Sequence, residues 1–464
     1  MYQKIVTAIR NPQSLGGRAL NASMWNVLGL VVQYPLRLVS NLFLTRLLAP
    51  EAFGLMAVIM TLHMGLMLLS DVGIVQSVMR DRHGGSTRFL RVAWTAQVLR
   101  GIAITIVLIA IGGGVMLFGP AVGPGTVYAD PVLPWLIWVS SLALLMRGLI
   151  SAKVLLARRQ MRLKGVIVLD VVSQAVGIAA MIGLGLWFGN VWALLLGTLI
   201  GSAAYLIASY QVLKGPRMRL VWDRVRARAM WVFGRWIILS SIGGFLLRHG
   251  DRLLFSFLIE KTLFGVYAIA ILWVEIGLTV LLRVGSSVFM PVFSTLIQQN
   301  RTADLKSSFR KLFGLYAAVA FLILLGYLLV MDHLIAFLYT PEYHLAGALA
   351  GLAAVRLLFM NAQVINDYVV ATGASLYSAC AHLIAACVAF ASAVLTYQHV
   401  SLEAAIMAFA AGNLTLLILL QFHRGYVAKL GNRWTLGITA LSLLLGMTAL
   451  SLLHPEQVGL GGMR

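Results

Sequence analysis

Acidic residues are scarce in this sequence: 15 Asp and Glu stand against 36 Lys and Arg, and charged residues fill only 11% of 464 positions. With 60% hydrophobic residues and a mean hydropathy of +0.91, that scarcity excludes a soluble globular protein. Cysteine is nearly absent. Cys380 and Cys387 lie seven apart in one apolar run, which fits neither a CxxC motif nor a metal site, and both are expected to be small core residues. No stretch between apolar runs is long enough for a soluble domain, so any chemistry belongs within a membrane or at its surfaces. No metal-ligand cluster, nucleophile triad or phosphate-cradling glycine loop occurs, and no cofactor is implied.

What fills the chain instead is a succession of apolar runs of about 20 residues, the length a helix needs to cross a bilayer. They lack the alternation of barrel strands, so helices satisfy the backbone. The net charge of +21 sits mostly in short loops on alternate sides, as the positive-inside rule requires, and nucleic acid is not an expected partner. The fold class predicted is an all-α polytopic membrane protein. Residues 1–20, with Lys4, Arg10 and Arg18, read as a cytoplasmic interfacial segment, followed by a first span serving as an uncleaved insertion signal. A six-helix lobe over 21–213 leads to a basic cytoplasmic linker over 214–230. A second six-helix lobe covers 231–424, and 425–464 holds an additional helix, Thr435 to Leu453, and a tail.

The two lobes carry the same signals. Shifted by 211 positions, Trp25 falls on Trp236, Arg37 on Arg248, Ser40 on Asp251 and Asn41 on Arg252. Pro50-Glu51-Ala52-Phe53-Gly54 answers Lys261-Thr262-Leu263-Phe264-Gly265, and with one inserted residue Asp71-Val72-Gly73 answers Arg283-Val284-Gly285. An even number of spans separates the copies, so they are parallel, related by an axis along the membrane normal, with substrate expected between them.

Arg248, Asp251 and Arg252 share one face of the seventh span by their three- and four-residue spacing. Arg37, Arg147, Arg283 and Arg356 also fall within spans, whereas Arg46, Arg100, Lys153 and Arg235 are placed to snorkel to an interface. Six deep arginines facing lipid would cost on the order of 15–20 kcal/mol, so they must be sheltered. The deep acids Asp71, Asp251, Glu275 and Asp367 are too few to neutralise them. A cationic cavity suits phosphate or carboxylate, because guanidinium donates two parallel hydrogen bonds. The residues leave a second reading open, in which each Arg locks helices together through an acid; Arg252 could be taken by its neighbour Asp251. The four acids are candidates for ion coupling, and Asp71 with Arg283, at equivalent positions, for an inner gate. His63, His249 and His382 read as helix–helix contacts.

The segments TRLLAPEAFGLMAV (Thr45 to Val58), LLSDVGIVQSVMR (Leu68 to Arg80) and LLRHGDRLLFSFLIEKTLFGVYAIA (Leu246 to Ala270) resemble the polysaccharide transporter branch of the multidrug/oligosaccharidyl-lipid/polysaccharide exporters, in particular Wzx-type flippases. The resemblance implies a V-shaped fold of two six-helix bundles that alternates access. It implies transport, not catalysis, of an undecaprenyl-diphosphate-linked oligosaccharide across the bacterial inner membrane, with the N-terminus cytoplasmic. Membrane lipids, and polymerase and export proteins of the same pathway, would be the partners. Arg37, Asn41, Arg147, Arg248, Arg252 and Arg356 are the substrate-binding candidates. A peptidoglycan lipid II flippase and a cation-coupled multidrug exporter are alternatives within the fold, and a membrane glycosyltransferase or polymerase one outside it.

Overall fold

The computed structural model describes residues 15–71, 73–423, 430 and 433–453. Lys4, Arg10, Arg424 and Lys429 lie outside them, as do the side chains of Arg226, Arg228, Arg235 and Trp236. The chain divides into two compact units, Met1–Ile238 and Leu239–Arg464.

The first unit contains α1 (Leu15–Leu44), α2 (Pro50–Leu69), α3 (Ile74–Arg80), α4 (Thr87–Val122), α5 (Leu133–Leu149), α6 (Lys153–Arg159), α7 (Leu163–Phe188) and α8 (Val191–Gln211). α9 (Arg224–Leu258) runs into the second unit, which continues with α10 (Lys261–Gln298), α11 (Thr302–Leu338), α12 (Leu345–Ala354), α13 (Ala362–Ala371), α14 (Ser375–His399), α15 (Leu402–Gln421) and α16 (Arg433–Leu453). Short 3₁₀ turns at Val127–Ala129, Pro341–Tyr343 and Val355–Phe359 are the remaining regular elements among the described residues.

Among the described residues, ten helical segments are long and apolar enough to cross a membrane, and α5 with α6 makes an eleventh if the bent pair is one span. The described side chains of α9 include Arg248, Asp251 and Arg252. The chain is a multi-pass membrane protein. Helix starts repeat as the sequence does: Pro50 and Lys261, Leu133 and Leu345, Leu163 and Ser375, and Val191 and Leu402 are each 211 or 212 positions apart. Packing within each unit repeats as well. α4 lies on α5 and α7 on α8 in the first, as α11 lies on α12 and α14 on α15 in the second. Helix starts are set locally: Pro50 begins α2, and the side chains of Ser86, Asn190 and Ser401 cap α4, α8 and α15 by accepting from Phe89 N, Trp192 N and Ala404 N.

Three expected spans are broken. The second stops at Leu69, and Asp71 sits in the break, before Gly73 turns the chain at φ 68° into α3. Asp71 is therefore not helical, whereas its counterpart Arg283 lies inside the unbroken α10. The fourth span bends by 55° between α5 and α6. Backbone freed within a membrane must find partners, and here it does: Gln97 Nε2 lies 3.0–3.2 Å from the carbonyls of Arg147, Gly148 and Ile150. Tyr210 donates to Leu149 O at 2.6 Å, and Trp94 Nε1 to the same oxygen at 3.4 Å. The tenth span is interrupted by the 3₁₀ turn Val355–Phe359, which carries Arg356.

Other expectations are corrected. Arg100 does not snorkel: its guanidinium donates to Ser70 Oγ (2.9 Å) and Met67 O and lies 4.0 Å from Asp71, tying α4 to the end of α2. Lys153 donates to Tyr210 O at 2.6 Å. Cys380 and Cys387 are exposed on α14 and not core, since a small apolar side chain on a lipid-compatible face needs no partner. Residues 214–223 are strapped along α4 by Arg91 Nε to Arg217 O (3.2 Å), Val221 N to Thr95 Oγ1 (2.9 Å) and Arg88 to Asp223 (3.4 Å).

Candidate functional site

The second unit gathers charges that lie far apart in sequence. Arg248 and Arg252 are one helical turn apart on α9 and reach the same carboxylate on α10: Arg248 Nη2 is 3.3 Å from Glu275 Oε2, and Arg252 Nη2 is 3.1 Å from Oε1. His249 Nδ1 approaches Oε1 at 3.5 Å. Asp251 faces another way. Its Oδ2 accepts from Arg356 Nη1 at 3.2 Å and from the Tyr267 hydroxyl at 2.9 Å. Arg252 is thus not taken by its neighbour Asp251, because adjacent helical residues diverge by about 100°.

The two clusters differ in access. Asp251 and Arg356 have side chains only 1% and 7% exposed, whereas Glu275 is 21% and Arg248 38% exposed. Three arginines face two carboxylates, so the cationic surplus the sequence implied is present locally. Beside them is a cavity of about 200 Å³, with Arg248, Arg356, Gln363, His382 and Asn413 as its polar lining and Leu247, Leu278, Leu282, Phe359 and Leu416 among its apolar lining. Arg248 Nε, Arg356 Nε, Arg356 Nη2 and Asn413 Nδ2 are buried donors without a hydrogen-bond partner. At this volume the cavity holds about six waters or one small anionic group, at about 30 Å³ per water. Orphaned N–H groups of this kind are what an anion's oxygens satisfy.

Glu275 and Arg252 pair beside this space, so five of the site candidates, Arg248, Arg252, Arg356, Asp251 and Glu275, meet in one unit. Asp367 stands apart on α13, its Oδ1 accepting from Gln363 Nε2 at 2.7 Å while Oδ2 is buried without a partner. Among the described residues, the first unit has no equivalent cluster. Arg37 is exposed, and Ser40 and Asn41 stand where the second unit has Asp251 and Arg252. Ser40 donates to Arg37 O at 2.8 Å and Asn41 is buried. Arg147 is exposed at the end of α5, with Nη1 3.5 Å from Met67 Sδ. Arg283 is exposed on α10.

His63 meets Ser140 across α2 and α5 at 3.1 Å, a helix–helix contact. His382 bonds within its own helix, to Ser378 O at 2.7 Å, and lines the cavity. Sequence reasoning passed over Tyr267, Gln363 and Asn413. A lone amide such as Asn413 within an apolar helix was a legible signal; Tyr267 gave none. No group of three or more His, Cys, Asp or Glu able to hold a metal occurs among the described residues.

Residues 43–347 match the polysaccharide biosynthesis protein family. Over 316 residues the chain is 26% identical to the succinoglycan biosynthesis transport protein ExoT of Rhizobium meliloti (strain 1021), a match covering 65% of this chain and 61% of that protein's length. An inward-facing multidrug resistance MATE family transporter of the MOP superfamily superposes with a TM-score of 0.63 at 15% identity, over 89% of this chain and 96% of that one. Lipid II flippase MurJ in an inward closed conformation gives 0.60 at 12% identity, over 93% and 100%. The chain belongs to the polysaccharide biosynthesis protein family and has the fold of the MOP exporters.

Proposed function

We propose that this protein is a flippase that moves an undecaprenyl-diphosphate-linked oligosaccharide from the inner to the outer leaflet of the bacterial inner membrane, for surface or exopolysaccharide synthesis, by alternating access. The observation that carries the reading is the set of buried, unpartnered guanidinium donors of Arg248 and Arg356 on a cavity where arginines outnumber acids. Such donors suit a diphosphate, and guanidinium forks fit its oxygens in pairs. Family membership and the transport protein similar to this chain support a polysaccharide cargo. A drug exporter that binds organic cations needs acids free to receive them, and Asp251 and Glu275 are both held by arginines.

Arg37, Asn41 and Arg147 in the first unit are assigned to the same cargo. Asp71 and Arg283 form the inner gate, and Asp367, an acid with one buried unpartnered oxygen whose other oxygen is held by the neutral Gln363, couples transport to an ion gradient. The N-terminus is cytoplasmic, and the pathway's polymerase and export proteins are the partners.

The test is deletion in the host with analysis of lipid-linked oligosaccharides by leaflet. The expected result is accumulation on the cytoplasmic side, reversed by the wild-type chain. Arg248→Ala restores protein level without restoring export, and Arg248→Lys restores part of it, because an ammonium lacks the planar fork. No cytoplasmic accumulation on deletion overturns the reading.

A further inference from the structure

Glu275 occupies the arginines that the reading above assigns to phosphate. Its two oxygens are divided between Arg248 (3.3 Å) and Arg252 (3.1 Å), with His249 Nδ1 3.5 Å from the second of them. It is neither buried like Asp251 nor braced by a hydroxyl donor as Asp251 is by Tyr267. Arg248 is the most exposed member of the group and reaches the cavity, where its Nε has no partner. The arrangement is therefore exchangeable at Arg248 and Glu275 and locked at Asp251 and Arg356.

An exchangeable carboxylate has a consequence for charge. One tethered negative charge serves two guanidinium groups, leaving one positive charge uncompensated. A singly charged phosphodiester displacing Glu275 gains no charge over what it replaces, and it competes against a carboxylate held at high effective concentration by its own helix. A diphosphate brings more than one negative charge and compensates both arginines. A protein in a bilayer rich in singly charged headgroups, with arginines open to its cavity, needs that discrimination to keep the site free.

We infer that Glu275 is a resident anion that reserves Arg248 and Arg252 for ligands bearing more than one negative charge and excludes the single-charge phosphodiester headgroups of bulk membrane lipids. The inference rests on the proposed phosphate-binding role of the arginines, and it makes Glu275 a specificity-determining residue.

The full-length chain in nanodiscs tests it, with radiolabelled farnesyl diphosphate as probe. Binding is measured in discs of phosphatidylcholine alone and in discs of equal phosphatidylcholine and phosphatidylglycerol, so that the repulsion of the probe by an anionic surface is common to every protein compared. For Glu275→Gln, phosphatidylglycerol should weaken probe binding about tenfold more than it does for wild type, since an unopposed arginine pair now accepts a single charge. Glu275→Asp, which keeps the charge but is too short to divide between both guanidinium groups, should fall between the two and serves if the glutamine variant does not fold. Unlabelled inorganic pyrophosphate in excess should displace the probe from wild type; displacement by pyrophosphate assigns recognition to the diphosphate and not to the prenyl chain. Equal lipid sensitivity in wild type, Glu275→Gln and Glu275→Asp overturns the inference. If probe binding is then still lost in Arg248→Ala, the phosphate reading stands without it; if the wild type binds no probe in either disc, both fall.

Discussion

Asp251 and Arg356 are 105 positions apart in the chain and meet at 3.2 Å inside the second unit, linking α9 to the 3₁₀ turn that interrupts the tenth span. Tyr267 completes the contact at 2.9 Å from the same oxygen. With both side chains nearly sealed from solvent, neither charge can be rehydrated if its partner is removed. Asp251→Asn or Arg356→Met alone should destabilise the fold by about 3–5 kcal/mol, the cost of leaving a buried charge uncompensated. Asp251→Asn with Arg356→Met together should recover most of it. Thermal unfolding in detergent reads both, and a loss in the double variant equal to the sum of the two single losses would show that the pair is not coupled.

Gln97 supports the break between α5 and α6, where its amide lies within reach of three carbonyls. A leucine fills similar space and donates nothing. Gln97→Leu should cost about 1–3 kcal/mol, the penalty of leaving a buried acceptor unmade. Gln97→Asn, too short to reach, should behave like the leucine variant. Unfolding midpoints of the two variants against wild type provide the measurement.

These two sites mark where the sequence stopped being legible. The order of the apolar helices and the doubled pattern follow from apolar length and the 211-residue shift, although three expected spans are broken, and local turn chemistry ends α7 at Gly189 with φ 59° before Asn190 caps α8. The break at Ile150–Ala152 has neither glycine nor proline within it. Its signal lies in Gln97, Trp94 and Tyr210, which belong to other helices. The partners of the charged residues were hidden for the same reason. Spacing already turns Asp251 and Arg252 in different directions on the helix, but it does not say that one meets Arg356 and the other Glu275. Spacing fixes which residues share a face; only packing decides what that face meets.

Gly101 on α4 and Gly148 on α5 let the two backbones touch. A Cβ at 101 would lie 2.7 Å from Gly148 Cα, and one at 148 would lie 2.8 Å from Gly101 Cα. Neither neighbour is a side chain that can swing away. Gly101→Ala and Gly148→Ala should each destabilise by about 1–3 kcal/mol through forced separation of the helices. Gly113→Ala on the same α4, where a Cβ meets nothing within 4 Å, is the matched control and should be neutral or mildly stabilising. Comparable losses at all three positions would remove close packing as the cause.

The proposed gate makes a separate demand on Asp71. Its Oδ1 accepts from Gly73 N at 3.0 Å and lies 4.0 Å from Arg100, so the carboxylate already serves the break that starts α3. If it also meets Arg283 during transport, Asp71→Arg should lower export, and Arg283→Asp in the same chain should restore it. Arg100→Asp should not. Rescue by position 100 in place of 283 would confine Asp71 to the first unit and end the gate.

Asp367 bears on energy rather than cargo. Gln363 satisfies one carboxylate oxygen at 2.7 Å and leaves the other buried and unpartnered, beside a residue that lines the cavity. An acid so placed can gain or lose a cation without breaking an ion pair, which Asp251 and Glu275 cannot do. Asp367→Asn keeps the hydrogen bond from Gln363 and removes the charge. Flipping of lipid-linked oligosaccharide in proteoliposomes should fall at least tenfold when an ionophore collapses the proton or sodium gradient, and the asparagine variant should run at the same low rate with or without it, since about 1.4 kcal/mol of drive is worth a factor of ten. A variant that still responds to the gradient as wild type does moves the coupling elsewhere, and a wild type indifferent to the ionophore removes it altogether.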